Sequence, residues 1–444
     1  METNPFNNYV SRFLVFLDEL RSSFWLIPVV TLIASIGIAI GMVYLDYMVG
    51  LSPSGFGNFL FCQTADSARS VLSIIAGAMV GVAGTVFSIT LVALALASSQ
   101  FGPRVLRNFM SQRINQVVLG TYISTYVYCL IVLNAITDNG QTEFIPAIAI
   151  LGAMVGAVLN MVLLIFFIHN IAVSIQADHL ISVINRSLSR SIDLLFPEIG
   201  EDGQEGRTDF DLDTETKKYI GHSLVNVPIS GYLQNVDHGL ILRLATEHKS
   251  LIVMKNRPGD YLVKGAKLAD VHHSDGKVKE LAAHIRSAVV IGEFRTPVQD
   301  VEYSIHQLVQ IAARALSPGI NDPYTAITCV DNLTSNLCRL TQVRFPSKYE
   351  CDEHGNLRAC TQVVTYQCLL DTAFNQIRQF GEGLPSVLIR LMASLAKING
   401  FARTDEQRTA IREQADAVMR LAKRTFHEEK DLADMEKKYA RLSD

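Results

Sequence analysis

Residues 70–103 read SVLSIIAGAMVGVAGTVFSITLVALALASSQFGP, 34 consecutive residues without a charge. A bilayer core takes about 20 apolar helical residues, so this run reads as a membrane-crossing helix. Three further uncharged windows, 22–45, 114–137 and 144–177, measure 24, 24 and 34 residues. Each can cross once, and none is long enough to cross twice with a turn between. Four crossings are expected. Trp25, Tyr44 and Tyr47 sit near the ends of the first window, where an aromatic belt meets the headgroups. That window has no small-residue cleavage site, so a cleaved signal peptide is not expected.

Charge is distributed accordingly. Residues 1–176 carry six Arg, no Lys and seven Asp or Glu, whereas the remaining 69 of the 82 charged residues fall in 177–444. A membrane half followed by a water-soluble half accounts for this, and excludes a disordered, collagenous or small disulfide-stapled chain. A net charge of −4 gives no electrostatic footprint for nucleic acid, and no such partner is expected. The seven Cys (62, 129, 329, 338, 351, 360 and 368) show neither CxxC nor zinc-type spacing and read as reduced thiols. Cys351 and Cys360 flank His354, too small a set for a metal site, so no metal is expected.

Orientation follows from arginine. The connection between the second and third windows holds Arg104, Arg107 and Arg113 and no acid, whereas the next holds only Asp138 and Glu143. Positive residues stay on the cytoplasmic side, which places both chain termini and the soluble half in the cytoplasm. The two 34-residue windows exceed the bilayer, since a helix of that length runs about 51 Å. Both are expected to continue as helix into the cytoplasm, the fourth through Gln176, His179, Arg186 and Arg190 to a stop near Pro197.

Within the second window Ser73, Gly77, Gly81, Gly84 and Ser88 recur at spacings of 4, 4, 3 and 4, one face of a helix. Such a row serves close helix–helix packing. The sharper alternative is that it lines a path around a symmetry axis. No Asp, Glu, Lys or Arg lies inside a window, which argues against an ion-coupled pump. His169 reads as interfacial. Tyr122, Ser124, Thr125, Tyr126, Tyr128 and Asn134 of the third window either pair across helices or line a wet path.

The expected fold class is a mainly α membrane protein: four transmembrane helices followed by a helix-dominated α+β cytoplasmic domain. The organisation is a segment 1–21, a transmembrane domain 22–176, a helical extension and acidic linker 177–221, a small β-rich subdomain 222–276 and a helical domain 277–444. Turn signals at Arg257-Pro258-Gly259-Asp260 and Lys264-Gly265 punctuate the β-rich part. PGDYLVKGAKLADV resembles half of a lipoyl-type barrel-sandwich but lacks the Met-Lys-Met hairpin, so neither lipoylation nor another cofactor is expected. Residues 344–358 read as a polar loop, and the last segment, from Ile411 to Leu442, as an amphipathic helix.

A helix carrying Ile305, Leu308, Val309, Ala312 and Leu316 on one face ends in Ser317-Pro318-Gly319-Ile320-Asn321-Asp322-Pro323. Pro-Gly stops that helix, and Asp322 with Pro323 caps and starts the next. The alternative to a structural corner is an anion or small-ligand site at the new helix start, with Arg295 or Arg314 nearby.

The runs SIIAGAMVGVAGTVFSITLVALALASSQFGPRVLRNF, FIHNIAVSIQ, GEFRTPVQD and RALSPGINDPYTA resemble the bacterial membrane-protein family catalogued as domain of unknown function 2254, over about residues 20–400. The resemblance implies a multi-pass inner-membrane protein and adds weight to Arg295, Asp300, Asn321 and Asp322, but brings no activity. Two functions fit. One is a homo-oligomeric ion channel or passive transporter with a cytoplasmic regulatory domain. The other is a membrane-anchored sensor or scaffold without transport. No GxSxG, HExxH, GxGxxG or GxxxxGK[ST] pattern stands in its required context, so no enzyme and no catalytic residues are expected.

Overall fold

The computed structural model describes residues 25–49, 64–102, 113–138, 143–197, 210–274 and 278–442. The segment 1–21, Arg104 and Arg107, and residues 198–209 of the acidic linker lie outside these. The chain divides into two compact units, Met1–His179 and Leu180–Asp444.

The first unit holds α1 (Leu26–Val49), α2 (Ala65–Phe101), α3 (Arg113–Ala135) and α4 (Ala147–Ser174). All four are long and apolar enough to cross a membrane. At 37 residues α2 spans about 55 Å, well beyond a bilayer core. Its first turn is fixed by Thr64, whose hydroxyl accepts the Ser67 N–H. The strands β1 (Thr137–Asp138) and β2 (Glu143–Phe144) pair antiparallel between α3 and α4.

The third span is the hub, since α3 packs against α1, α2 and α4. Its polar side chains make that possible. Tyr122 Oη donates to the Asn160 carbonyl at 2.7 Å, and Tyr128 Oη to the Ala149 carbonyl at 2.8 Å. Asn160, 2% exposed on α4, donates to Thr125 Oγ1 at 2.8 Å. Of the two readings of these polar residues, pairing across helices is the one these three adopt.

Two expectations for this unit change. Asp46, assigned to the connection after the first window, lies within α1, because one acid near a helix end does not stop an otherwise apolar helix. The fourth span does not run unbroken toward Pro197. It ends at Ser174, Ile175 caps it, and α5 (Ala177–Leu195) begins anew. Polarity changes at the same point. Apolar residues surround α4, whereas α5 buries only a stripe comprising Leu180, Ile181, Ile184, Leu188 and Ile192.

The second unit opens with that stripe and a short α6 (Leu212–Thr216). Next come β3 (Gly221–Asn226), β4 (Gly231–Val236), α7 (His238–Glu247), β5 (Leu251–Met254), β6 (Tyr261–Leu262) and β7 (Lys267–His273). Then follow α8 (Val278–Ser287), β8 (Val289–Gly292), α9 (Val301–Ala315), α10 (Pro323–Leu340), β9 (Tyr349–Cys351) and β10 (Leu357–Cys360). The chain closes with α11 (Tyr366–Phe380), α12 (Pro385–Asn399), α13 (Asp405–Thr425) and α14 (Glu429–Ala440).

One sheet has the order β3-β7-β5-β10-β9, the other β6-β4-β8. Among the described residues only β10 on β5 is parallel; the other pairs are antiparallel. Val225, Leu233, Ile252, Leu262, Leu268 and Val271 from both sheets share a core with Ile241 of α7 and Ile285 of α8.

The boundary expected at 276/277 therefore does not separate β from α, because β8, β9 and β10 lie beyond it and join the same two sheets. The polar loop at 344–358 contains β9 and leads into β10. Strands of three and four residues are too short to show alternation in the sequence. The terminal amphipathic segment is two helices, separated where Phe426 turns extended (φ −80°, ψ 130°).

Candidate functional site

Among the described residues of the membrane unit, none packs closely on the small row of α2. Ser73, Gly77, Gly81, Gly84 and Ser88 are all exposed, whereas Leu72, Ala76, Met79, Val86 and Ala93 on the other side are buried. A Cβ built at Gly77, Gly81 or Gly84 meets nothing within 4 Å. On this face Ser88 Oγ donates to the Gly84 carbonyl at 2.9 Å.

The glycines that do permit close approach are others. A Cβ at Gly120 would lie 2.9 Å from Pro28 Cα, and one at Gly152 would lie 2.6 Å from Tyr128 Oη. Gly120 belongs to no regular row, whereas Gly152 stands four residues before Gly156, a small-residue spacing that the sequence reading passed over.

In the second unit the chemistry gathers at the start of α9. Asp300 is its N-cap and accepts the Tyr303 N–H at 3.1 Å. Arg295 grips the same carboxylate with two bonds, Nε to Oδ2 at 2.7 Å and Nη2 to Oδ1 at 2.9 Å. Two residues on, Glu302 takes Arg257 Nη2 at 3.0 Å on both oxygens and the Cys368 thiol at 2.9 Å. The turn carrying Arg257 is held by Gly259, whose φ of +99° suits glycine and whose missing Cβ would stand 2.6 Å from Asp300 Oδ2. GEFRTPVQD and RPGD are thus two sides of one construction.

Burial alone would lower both guanidinium groups. The bonds and charge of Asp300 at Arg295, and of Glu302 at Arg257, outweigh it and hold both above the ordinary value. Burial, followed by the bond to Glu302, pushes the Cys368 thiol up. A thiol held protonated in this way is a poor nucleophile.

Beside this cluster lies a cavity of about 220 Å³. Arg257, Asp300 and Glu302 line it, together with His238 and Glu350, whose Nδ1 and Oε1 are 3.3 Å apart. Phe196, Val301 and Val363 form part of its apolar wall. Thr361 also lines it; this residue is 2% exposed and its hydroxyl has no hydrogen-bond partner in the protein.

The SPGINDP segment forms the expected corner. Asn321 adopts φ +50°, and its N–H and that of Asp322 return to the carbonyls of Ser317 (2.9 Å) and Ala315 (2.8 Å). Ser317 Oγ donates to the Arg314 carbonyl at 2.6 Å. Asp322 caps α10 through the Thr325 N–H (3.1 Å) and hydroxyl (2.6 Å), and these bonds hold its carboxyl below the usual range. Arg295, expected beside this corner, is instead bound to Asp300 at the other end of α9, about 22 Å of helix away. The sequence candidates therefore fall into two groups, with Asp300 on the cavity wall and Arg295 bonded to it, and with Arg314, Ser317, Asn321 and Asp322 at the corner. Sequence reasoning missed His238, Glu302, Glu350 and Thr361. Of these only Glu302, an acid in the first turn two residues after Asp300, gave a local signal. Among the described residues no group of three or more His, Cys, Asp or Glu is placed to hold a metal.

A family model described as "Predicted membrane protein (DUF2254)" matches residues 21–397. An uncharacterized protein of Mycobacterium tuberculosis is 31% identical over 422 residues, covering 94% of this chain and 79% of the relative. An uncharacterized protein of Mycobacterium bovis matches with the same identity and coverage. No solved structure matches.

Proposed function

The chain belongs to the DUF2254 family of predicted membrane proteins, and from that premise we propose a homo-oligomeric ion channel or passive transporter of the bacterial inner membrane. The Leu180–Asp444 unit is its regulatory domain, cytoplasmic together with both chain ends by the arginine bias of the connection at 101–115. No catalytic role is assigned to it.

The observation that carries this reading is the exposed row Ser73, Gly77, Gly81, Gly84 and Ser88. Small residues let helix backbones come close, and among the described residues nothing takes up that approach. A second copy does, and closing such contacts into a ring sets α2 around a symmetry axis. The hydroxyls and amide of Tyr122, Tyr128 and Asn160 are engaged in interhelical bonds, which favours a path between chains over one within a chain.

Liposomes loaded with a potassium- or chloride-sensitive dye test the proposal, with particle mass in nanodiscs read in parallel. Wild type should assemble and leak, and Gly81→Leu should lose both. Normal assembly and flux in Gly81→Leu would overturn it. A second reading, a membrane-anchored sensor without transport, is favoured by the cavity beside Thr361. It predicts assembly or ligand binding with no flux in either protein.

A further inference from the structure

The charged groups on the wall of the second unit's cavity are already matched. Asp300 is held by Arg295 at 2.7 Å, Glu302 by Arg257 at 3.0 Å, and Glu350 faces the imidazole of His238 at 3.3 Å. Gln299, also on the wall, is engaged at both ends of its amide by the Val236 backbone, at 2.9 and 3.1 Å. A charged ligand has to break one of these pairs or bring an unmatched charge beside them, and either opposes binding.

The surface of the space is predominantly apolar, and its apolar groups come from separate parts of the chain. Leu195 and Phe196 stand at the end of α5, Pro258 in the turn before β6, Val301 in the first turn of α9, and Val363 and Val364 between β10 and α11. The Arg295–Asp300 and Arg257–Glu302 pairs and the Gly259 turn hold three of these segments in register, so the space is preformed. A preformed, largely apolar cavity edged by a few polar groups is the usual form of a small-molecule site.

We infer that this cavity binds a small uncharged molecule, with a hydrocarbon body against Phe196, Val301 and Val364 and one hydrogen-bonding group toward the ion pairs. A hydroxyl suits such a wall, because it accepts from a guanidinium and donates to a carboxylate without adding charge. Size sets the upper limit. A protein cavity of about 150 Å³ admits benzene, so 220 Å³ takes a molecule of about nine non-hydrogen atoms. The inference holds whether or not the membrane unit conducts, because binding is measured without flux.

Calorimetric titration of the whole protein in nanodiscs tests it, with cyclohexanol, cyclohexylammonium and cyclohexanecarboxylate as probes and empty nanodiscs subtracted for partition into lipid. The three share one ring and differ in charge. Cyclohexanol should bind saturably and about ten-fold or more tighter than either ion. Val364→Phe fills the space from a half-buried position and should lose the alcohol while melting like wild type. Val363→Phe fills it from the neighbouring position and is read in the same way. The inference is overturned if folded wild type shows no saturable cyclohexanol binding, or if either ion binds as tightly. Wild-type cyclohexanol affinity in a filling variant that melts like wild type overturns it equally.

Discussion

The Asp46 carboxylate, on the first membrane helix, accepts the backbone N–H of Ala149 at 2.9 Å and so caps the start of the fourth. Its other oxygen takes the Ile148 N–H at 2.9 Å. Pro146, the local N-cap, offers no side-chain bond, so this remote carboxylate replaces the usual cap. It also meets the positive end of a 28-residue helix.

Asp46→Ala should leave both N–H groups without their acceptor and destabilise the membrane unit by about 1–2 kcal/mol. Asp46→Asn keeps one acceptor oxygen and should fall between. Melting midpoints of the three proteins in one detergent check this order, and an Asp46→Ala midpoint equal to wild type would remove the cap's importance.

The glycines of the membrane unit should divide by environment. At Gly120 a methyl group would meet Pro28 Cα at 2.9 Å, a backbone atom that yields only if α1 and α3 separate. Gly120→Ala should cost about 1–3 kcal/mol by overpacking. Gly81→Ala meets nothing and should leave the melting of a detergent-isolated monomer unchanged. Equal melting losses in the two variants would show that α2 has a partner at Gly81 even in the monomer.

The same contrast shows what was legible in the sequence. Four uncharged windows mark four helices because burial in lipid leaves a compositional trace long enough to read. Asp322-Pro323 marks a helix start because capping is local chemistry. Gly120 carries no such trace, since its role depends on which helices meet, and the spacing of four between Gly152 and Gly156 does not say which helix approaches. The cavity was hidden for the same reason. His238, Glu350 and Thr361 come from separate elements, and the strand pairing that aligns Glu350 with Thr361 rests on segments too short to show alternation. GEFRTPVQD drew attention as a motif, yet its Arg295 is spent on Asp300 five residues away and not on the corner it was matched with.

Asp300 is 3% exposed and Arg295 is its counter-ion. Arg295→Ala leaves a buried carboxylate without its counter-ion, and removing one partner of such a pair costs about 3–5 kcal/mol. Gly259→Ala should also destabilise, because the left-handed backbone and the carboxylate 2.6 Å from the new Cβ both oppose it. Thermal unfolding followed by circular dichroism should place both variants below wild type. A wild-type midpoint in Arg295→Ala would mean that Asp300 finds another donor.

Acid should find Asp352. This carboxylate accepts the N–H groups of His354 (3.0 Å) and Asn356 (2.9 Å), and Arg358 Nε at 2.8 Å, tying the turn between β9 and β10. Burial pushes its carboxyl upward, but the bonds from Asn356 and Arg358 outweigh that and hold it well below the usual carboxylate range. A group whose folded value lies below its unfolded value of about 3.9 favours the folded state fully above that pH. The contribution is lost as the pH falls toward the folded value. Asp352 should therefore add no pH dependence from pH 7 to about 5 and a progressive loss below about 4. Asp352→Asn cannot gain or lose a proton there, so its midpoint should be lower near neutrality and fall less steeply in acid. Asp270 and Asp322 are also held low and still titrate, so the acid slope should flatten without vanishing. Midpoints measured from pH 7 to 3 check this, and an acid slope in Asp352→Asn as steep as wild type would show that the turn does not feel its carboxylate's charge.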